Sequence, residues 1–343
     1  MRTREVIPFV IYLSKRLGAL AVMYFVTITI MFLLPRFIPA NPVALYIQNL
    51  AQEMGYFSNP EAVPELYKVL FEEFGLGKPI WKQYIDFIAN AFRGDLGISI
   101  WLNDKVIDIV MRALPWTLFL FVPSTIVGWT IGNYWGAITG YKRGTTFEKT
   151  SVLISSIVAQ IPGYWFGMLL IFAFAINLRV LPPNRAYDPL IMPSWRMEFL
   201  LSVVKHYVLP FITLTIPYLC GQVISMRNLM IYELKSDYTV FADYIGMPDK
   251  VIRRYAFRNA MMPQVVNLSI RLGRAVAGTA LIENIFAYPG MGWYLAQAVT
   301  NNDYMLLQGL FIILVATVYL ALFLSDLVHL VVDPRVRLGY AKS

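Results

Sequence analysis

Asn267, Arg271, Arg274 and Gly278 follow one another at intervals of four, three and four inside an otherwise apolar stretch. On a helix that spacing puts them on one stripe. Counted from Pro263 at about 1.5 Å per residue, Arg271 lies roughly 12 Å and Arg274 roughly 16 Å into a hydrocarbon core about 30 Å thick. A guanidinium facing lipid at that depth costs at least about 2.5 kcal/mol, so the stripe is expected to face a translocation path through the protein. The alternative is an ion pair between helices, with Glu283 or Asp326 supplying the carboxylate; Arg271 also has the option of snorkelling part of the way to the surface. Either chemistry recognises charge and makes no bond. The sequence has no G-x-x-x-x-G-K-[ST] loop for phosphates, no H-E-x-x-H or paired-cysteine metal spacing and no G-x-S-x-G nucleophile turn. Its two histidines, His206 and His329, fall at the ends of apolar spans, where interfacial packing accounts for them, and no metal site is expected.

The elements that must position this stripe are membrane helices. Hydrophobic residues make up 58% of the 343 and charged residues only 15%, too little charge to cover a soluble domain of this size. A net charge of +8 in a soluble protein would suggest nucleic acid; here it is explained by basic residues crowding cytoplasmic loops, and no nucleic-acid partner is expected. The one cysteine, Cys220, sits in an apolar run and has no intramolecular disulfide partner.

Six apolar runs read as transmembrane helices, at 17–37, 114–141, 150–178, 205–229, 263–285 and 306–332, giving an all-α polytopic protein of the cell membrane. The first is too long for a signal-peptide core and has no small-residue cleavage site after it. Pro123, Pro162, Pro210 and Pro217 are expected to kink these helices without ending them. Gln160, just before Pro162, is expected to repair the backbone there, and Asn133 and Gln222 to hydrogen-bond between helices.

Lys and Arg set the orientation. They gather before the first run (Lys15, Arg16), between the second and third (Lys142, Arg143, Lys149), between the fourth and fifth (Lys235, Lys250, Arg253, Arg254, Arg258) and after the last (Arg335, Arg337). Both termini, 1–16 and 333–343, are therefore expected in the cytoplasm. Residues 38–113 then lie outside. Tyr56, Phe57, Leu66, Tyr67, Leu70, Phe71, Trp81, Tyr84 and Phe92 argue for a folded external lobe, the alternative being a loop packed passively on helix ends. Residues 114–332 form a five-helix core.

That core is interrupted at 230–262 by a polar, basic segment. Within it, Ala242 and Gly246 are four apart, so on a short helix they offer a smooth patch that another protein can approach closely. A basic amphipathic helix follows, closed by Pro263 where the chain returns to the membrane. The segment reads as a docking element moved by a partner; the plain alternative is a surface helix with an incidental glycine.

Asp237–Pro263 followed by Leu281–Trp293 (L-I-E-N-I-F-A-Y-P-G-M-G-W) resembles the permease family of binding-protein-dependent ABC importers, specifically the first transmembrane subunit of the oligopeptide/dipeptide group. Further landmarks occur in the same order along essentially the whole chain. They are Lys15-Arg16-Leu17, Leu34-Pro35-Arg36, Asn41-Pro42, Phe74–Pro79, Arg93–Gly97, Leu114-Pro115, Leu181-Pro182-Pro183, Leu209-Pro210, Met226-Arg227 and Asp333-Pro334-Arg335. The chain departs from the family where the loop usually opens with Glu-Ala-Ala. Only Ala242 and Gly246 match, and Met247-Pro248-Asp249 shortens the stretch that follows.

The resemblance implies a second homologous permease, one or two ATPase subunits and an extracellular substrate-binding protein as partners. It implies no cofactor on this chain, ATP and Mg being held by the ATPases. It assigns ATPase docking to Phe241, Ala242, Asp243, Gly246, Met247, Pro248 and Arg254, and an outer gate to Glu283, Tyr288, Pro289, Gly290 and Gly292. Its substrates are peptides or, in similar permeases, oligosaccharides. A reading from another class, a self-contained channel or scaffold, remains alongside it.

Overall fold

The computed structural model describes residues 3–37, 47, 67–68, 71, 77–273 and 275–332. Helix α1 (Thr3–Phe37) is followed by the short α2 (Ile80–Phe92) and a two-residue hairpin, β1 (Ile98–Ser99) and β2 (Asp104–Lys105). The remaining elements are α3 (Val106–Tyr141), α4 (Thr146–Gln160), α5 (Gly163–Leu170, continued by a π-helical stretch to Asn177), α6 (Met197–Glu233), α7 (Asp237–Tyr244), α8 (Asp249–Gly273), α9 (Ala275–Ile285), α10 (Met291–Thr300) and α11 (Tyr304–Val332).

The bundle is built around α3 and α6. Gly128, Gly132, Gly136 and Gly140 recur every fourth residue on α3 and meet Thr215, Leu219, Val223 and Arg227 at the same interval on α6. A Cβ at Gly132 would come within 2.7 Å of the Leu219 carbonyl, and one at Gly140 within 2.8 Å of the Arg227 carbonyl. In a membrane no hydrophobic effect drives helices together, so close backbone approach over small residues is the main source of association. At about 1.5 Å per residue, both helices are about 55 Å long and overrun a hydrocarbon core of about 30 Å at both ends.

Pro123 lies inside α3 and, as expected, does not end it. Lacking an N–H, it leaves the Phe119 carbonyl without a helical donor. The hydroxyl of Tyr207 on α6 donates to that carbonyl at 3.0 Å, so the neighbouring helix replaces the missing bond. Pro210 and Pro217 likewise lie inside α6.

Pro162 behaves differently from the expectation. α4 ends at Gln160, and α4 and α5 meet at 96°. Ile161 is extended (φ −70°, ψ 122°), as the residue before a proline prefers, and the Pro162 carbonyl opens α5 by accepting from Phe166 N at 3.1 Å. Gln160 is exposed at this break and has no kinked helix to repair. Asn133 and Gln222 bond within their own helices, to the Trp129 carbonyl and the Tyr218 hydroxyl, instead of across an interface.

Four described helices are long and apolar enough to cross a membrane, namely Leu13–Leu33 of α1, α3, α6 and Tyr304–Leu324 of α11; a fifth crossing results if α4 and α5 count as one bent span. The expected span 263–285 is described as the end of α8, to Gly273, and α9, from Ala275, with Arg274 between them outside the described residues, and it is not among these spans. Pro263 is neither cap nor boundary. It lies within α8, which runs unbroken from Asp249.

Much of the expected external lobe, with Tyr56, Phe57, Leu66 and Leu70, lies outside the described residues, as do Arg274 and 333–343. Tyr67 and Phe71 stack on each other with ring centroids 5.7 Å apart. α2 packs on α1, Tyr84 and Phe87 each placing a ring centroid 5.2 Å from that of Phe32, and Tyr84 bonding Thr29. Val106, Ile109, Val110 and Ala113, which fall within the stretch 38–113 expected outside, are in the first turns of α3 and buried in a cluster with Met291, Ala298, Leu306 and Leu310.

Gly132→Ala places its methyl against the α6 backbone, an overpacking that costs about 1–3 kcal/mol. Gly18, with nothing within 4 Å of its would-be Cβ, is the control. Thermal unfolding in detergent is expected to show a lowered Tm for Gly132→Ala and an unchanged one for Gly18→Ala.

Candidate functional site

The basic clusters gather at one end of the bundle. The Tyr141 hydroxyl, at the last residue of α3, donates to Asp249 at 2.8 Å and accepts from Arg253 at 2.6 Å, while the Arg253 guanidinium stacks 3.5 Å above the Tyr141 ring. The bonds from Tyr141 and then Arg253 hold the Asp249 carboxyl below the usual carboxylate range. Beside this clamp, Thr145 accepts from Glu148 N while Glu148 accepts from Gly144 N, a capping arrangement at the start of α4. Arg227 of α6 pairs with the same Glu148.

Between these two fastenings projects α7. Thr239 and Ala242 face inward, Ala242 being 4% exposed, and Thr239 donates to the Glu233 carbonyl at 2.7 Å. Ala242 and Gly246 therefore do not form a smooth open patch. Gly246 stands past the helix end at φ +74°, with Gly246 N bonded to the Asp243 carbonyl and Met247 N to the Ala242 carbonyl. That pattern is a Schellman terminator, which needs a residue at ease in the left-handed region.

What α7 presents outward is aromatic and apolar. Phe241 is 64%, Tyr244 86% and Ile245 55% exposed, three and four residues apart on one side. Asp243, Pro248 and Arg254 are also exposed, and Met247 is half-buried. Tyr244 and Ile245 escaped the sequence reading, which weighed small residues over large ones; the signal was two large apolar residues side by side in a polar loop.

Of the polar stripe, Arg274 lies outside the described residues. Asn267 is exposed on the surface of the chain, Gly278 lies in α9, and Arg271 is half-buried. Neither expected carboxylate pairs with Arg271. Asp326 binds Arg16 at 2.5 Å, and Glu283 bonds hydroxyl and amide groups. The Arg271 guanidinium lies 3.5 Å over the Tyr218 ring and 5.9 Å from Phe121, a cation–π arrangement that compensates part of its desolvation. It faces a cavity of about 410 Å³ where α4, α5, α6 and α9 converge.

At the opposite end, Glu283 is fully buried. Its carboxylate accepts from Thr279 at 2.7 Å, from Gly292 N at 2.7 Å and from Trp293 N at 3.4 Å, so it caps the first turn of α10. Thr117 of α3 accepts from Met291 N beside it. Side chains at Gly290 or Gly292 would collide with Glu283 or Ala280. Tyr288 is also fully buried, edge-on to Trp116 at 5.8 Å. Pro289 is half-buried in the same turn. Sequence reading missed Asp303, which caps α11 through Leu306 N and ties down the hairpin through Ser99 and Trp101 N; an Asp just ahead of a long apolar helix was the available sign.

Gly246→Val forces a β-branched residue into the left-handed region at a cost of about 1–2 kcal/mol, whereas Gly246→Asn is tolerated there. Limited proteolysis of the purified protein is expected to cleave faster between 234 and 253 in the valine variant and at the original rate in the asparagine variant.

The family profile described as binding-protein-dependent transport system inner membrane component matches residues 132–338. The dipeptide transport system permease protein of Escherichia coli strain K12 is 32% identical over 345 residues, covering 95% of this chain and 98% of the relative. The di/tripeptide transport system permease protein of Pseudomonas aeruginosa is 28% identical, with the same coverage. The glutathione transport system permease protein of Escherichia coli is 27% identical, again covering 95% and 98%. With a bundle of apolar helices, a protruding short helix between two of them and matches at this coverage, the chain is a multi-pass membrane protein that belongs to the family of binding-protein-dependent transport system inner membrane components.

Proposed function

We propose that this chain is one of two homologous permeases of a peptide importer, together lining the translocation path for peptides handed over by an extracellular binding protein and driven by separate ATPase subunits. The exposed Phe241–Tyr244–Ile245 face of α7 carries the reading. A large apolar patch on a helix between two membrane segments is suited to a groove on a partner. The peptide assignment is supported by relatives that are named as dipeptide, di/tripeptide and glutathione permeases. In this reading the basic end, with both termini, is cytoplasmic. The end of α8 together with α9 belongs to a sixth crossing, with Asn267 and Arg271 facing the path. The turn from Glu283 to Gly292 braces the outer gate.

Closure of the ATPases on ATP would push α7. The push passes into α3 through the Tyr141–Asp249–Arg253 contacts and into α4 through Arg227–Glu148, because these fastenings join α7's neighbours to the bundle. The helices then rock as rigid bodies and open the path to each side in turn.

Tyr244→Asp removes a central aromatic anchor and buries a charge, a loss of about 2 kcal/mol or more and hence about thirtyfold in Kd. The variant is expected to insert normally but not to co-purify with an ATPase; retention of the ATPase at the original level would end the docking assignment. Sidedness is read separately on a Cys220→Ser background. An impermeant thiol reagent added to intact cells is expected to label Met192→Cys and to leave Lys250→Cys unlabelled, and the reverse pattern would overturn the orientation.

A further inference from the structure

Two independent departures from ordinary membrane structure meet in one cavity. The first is the break between α4 and α5, where Ile161 and Gly163 line the space. Non-helical backbone at membrane depth is tolerated where it is buried in protein or lines a hydrated cavity. The last carbonyls of α4 and the first amides of α5 have no helical partners at such a break. The second departure is Arg271. Its Nε is buried with no hydrogen-bond partner. No described carboxylate lies within ion-pair distance of its guanidinium.

The cation is held in place. The Tyr218 ring lies beneath it, and Gln222 donates to the Tyr218 hydroxyl at 2.8 Å, fixing the ring from the next turn of α6. A guanidinium held over a ring is positioned in advance and keeps its terminal N–H donors for a planar, bidentate acceptor. Tyr164 adds a phenol to the lining. The volume, about 410 Å³, falls in the range of about 300–1,000 Å³ typical of small-ligand sites.

We propose that this cavity is a binding station for a carboxylate of the transported peptide, with Arg271 as the receiving cation and Tyr218 and Gln222 as its positioning residues. The proposal rests on the peptide-importer reading and adds a residue-level site to it. It also separates peptides from oligosaccharides, since neutral sugar hydroxyls do not need a buried cation.

The test uses the assembled transporter in nanodiscs, with Tyr164→Cys as reporter on a Cys220→Ser background. Labelling rates are compared for an anionic reagent, methanethiosulfonate ethylsulfonate, and a cationic one, methanethiosulfonate ethyltrimethylammonium. The anionic reagent is expected to react faster. Arg271→Gln should lower the anionic-to-cationic rate ratio at least fivefold, and Arg271→Lys should retain most of it. Alanyl-alanine should slow labelling, whereas alanyl-alanine amide should not. That protection is measured with Arg271 intact and so stands even if its variants fold poorly. Absence of a charge preference, a ratio indifferent to Arg271→Gln, or equal protection by dipeptide and amide would each overturn the proposal. Protection by phosphatidylglycerol nanodiscs without protection by dipeptide would assign the site to a lipid phosphate and also overturn it. The importer reading is judged by ATPase co-purification and survives any of these results.

Discussion

The close approach of α3 and α6 over Gly128, Gly132, Gly136 and Gly140 is the constraint on which the other contacts depend. With backbone carbonyls of one helix facing glycines of the other, neither helix has room to slide or rotate without a clash. The pair therefore behaves as a rigid unit. Tyr207 on α6 reaches the Phe119 carbonyl, the partner that Pro123 leaves without a donor, because the two backbones are held at that separation. Tyr218 sits against Gly128 for the same reason, and so fixes the place where Arg271 stacks.

Polar fastenings at each end complete this unit and differ in kind. At the basic end they are side chain to side chain, Tyr141 with Asp249 and Arg253, and Glu148 with Arg227. Such contacts let neighbouring segments move together while each keeps its own helix. At the other end the carboxylates of Glu283 and Asp303 each accept from a hydroxyl and from backbone amides at the starts of α10 and α11. A buried carboxylate satisfied by amides locks a turn, because its loss would leave several donors without partners. The two ends of the bundle thus differ in what a lost contact would leave behind, a loosened pair of helices at one and unpaired amides at the other.

Gly246 shows how one residue acquires a reason that its type alone does not reveal. Its smallness suggested a contact surface; its backbone shows a helix terminator. Ending α7 after two turns exposes Phe241, Tyr244 and Ile245 together and swings the chain back into α8. The apolar face and the glycine are parts of one device, the glycine setting where the face stops.

Four of the six apolar runs, the clustering of Lys and Arg and the isolated 230–262 segment were legible in the sequence, because hydrophobic length and charge asymmetry are local properties that a bilayer selects directly. The Gly128–Gly140 repeat went unread, because its meaning lies in the α6 backbone that it packs against. Local spacing failed where a residue's partner is distant in the chain: Ala242 turned inward, Arg271 found Tyr218 instead of a carboxylate, and Glu283 and Asp303 became caps. Pro123 and Pro162 look alike in sequence, yet the first continues a helix and the second ends one. The first has Tyr207 to replace its lost bond, while ahead of the second Ile161 is extended and the helix restarts at 96°. Only the tertiary structure decides between such outcomes, since they depend on which side chain from another helix arrives at the unpaired group.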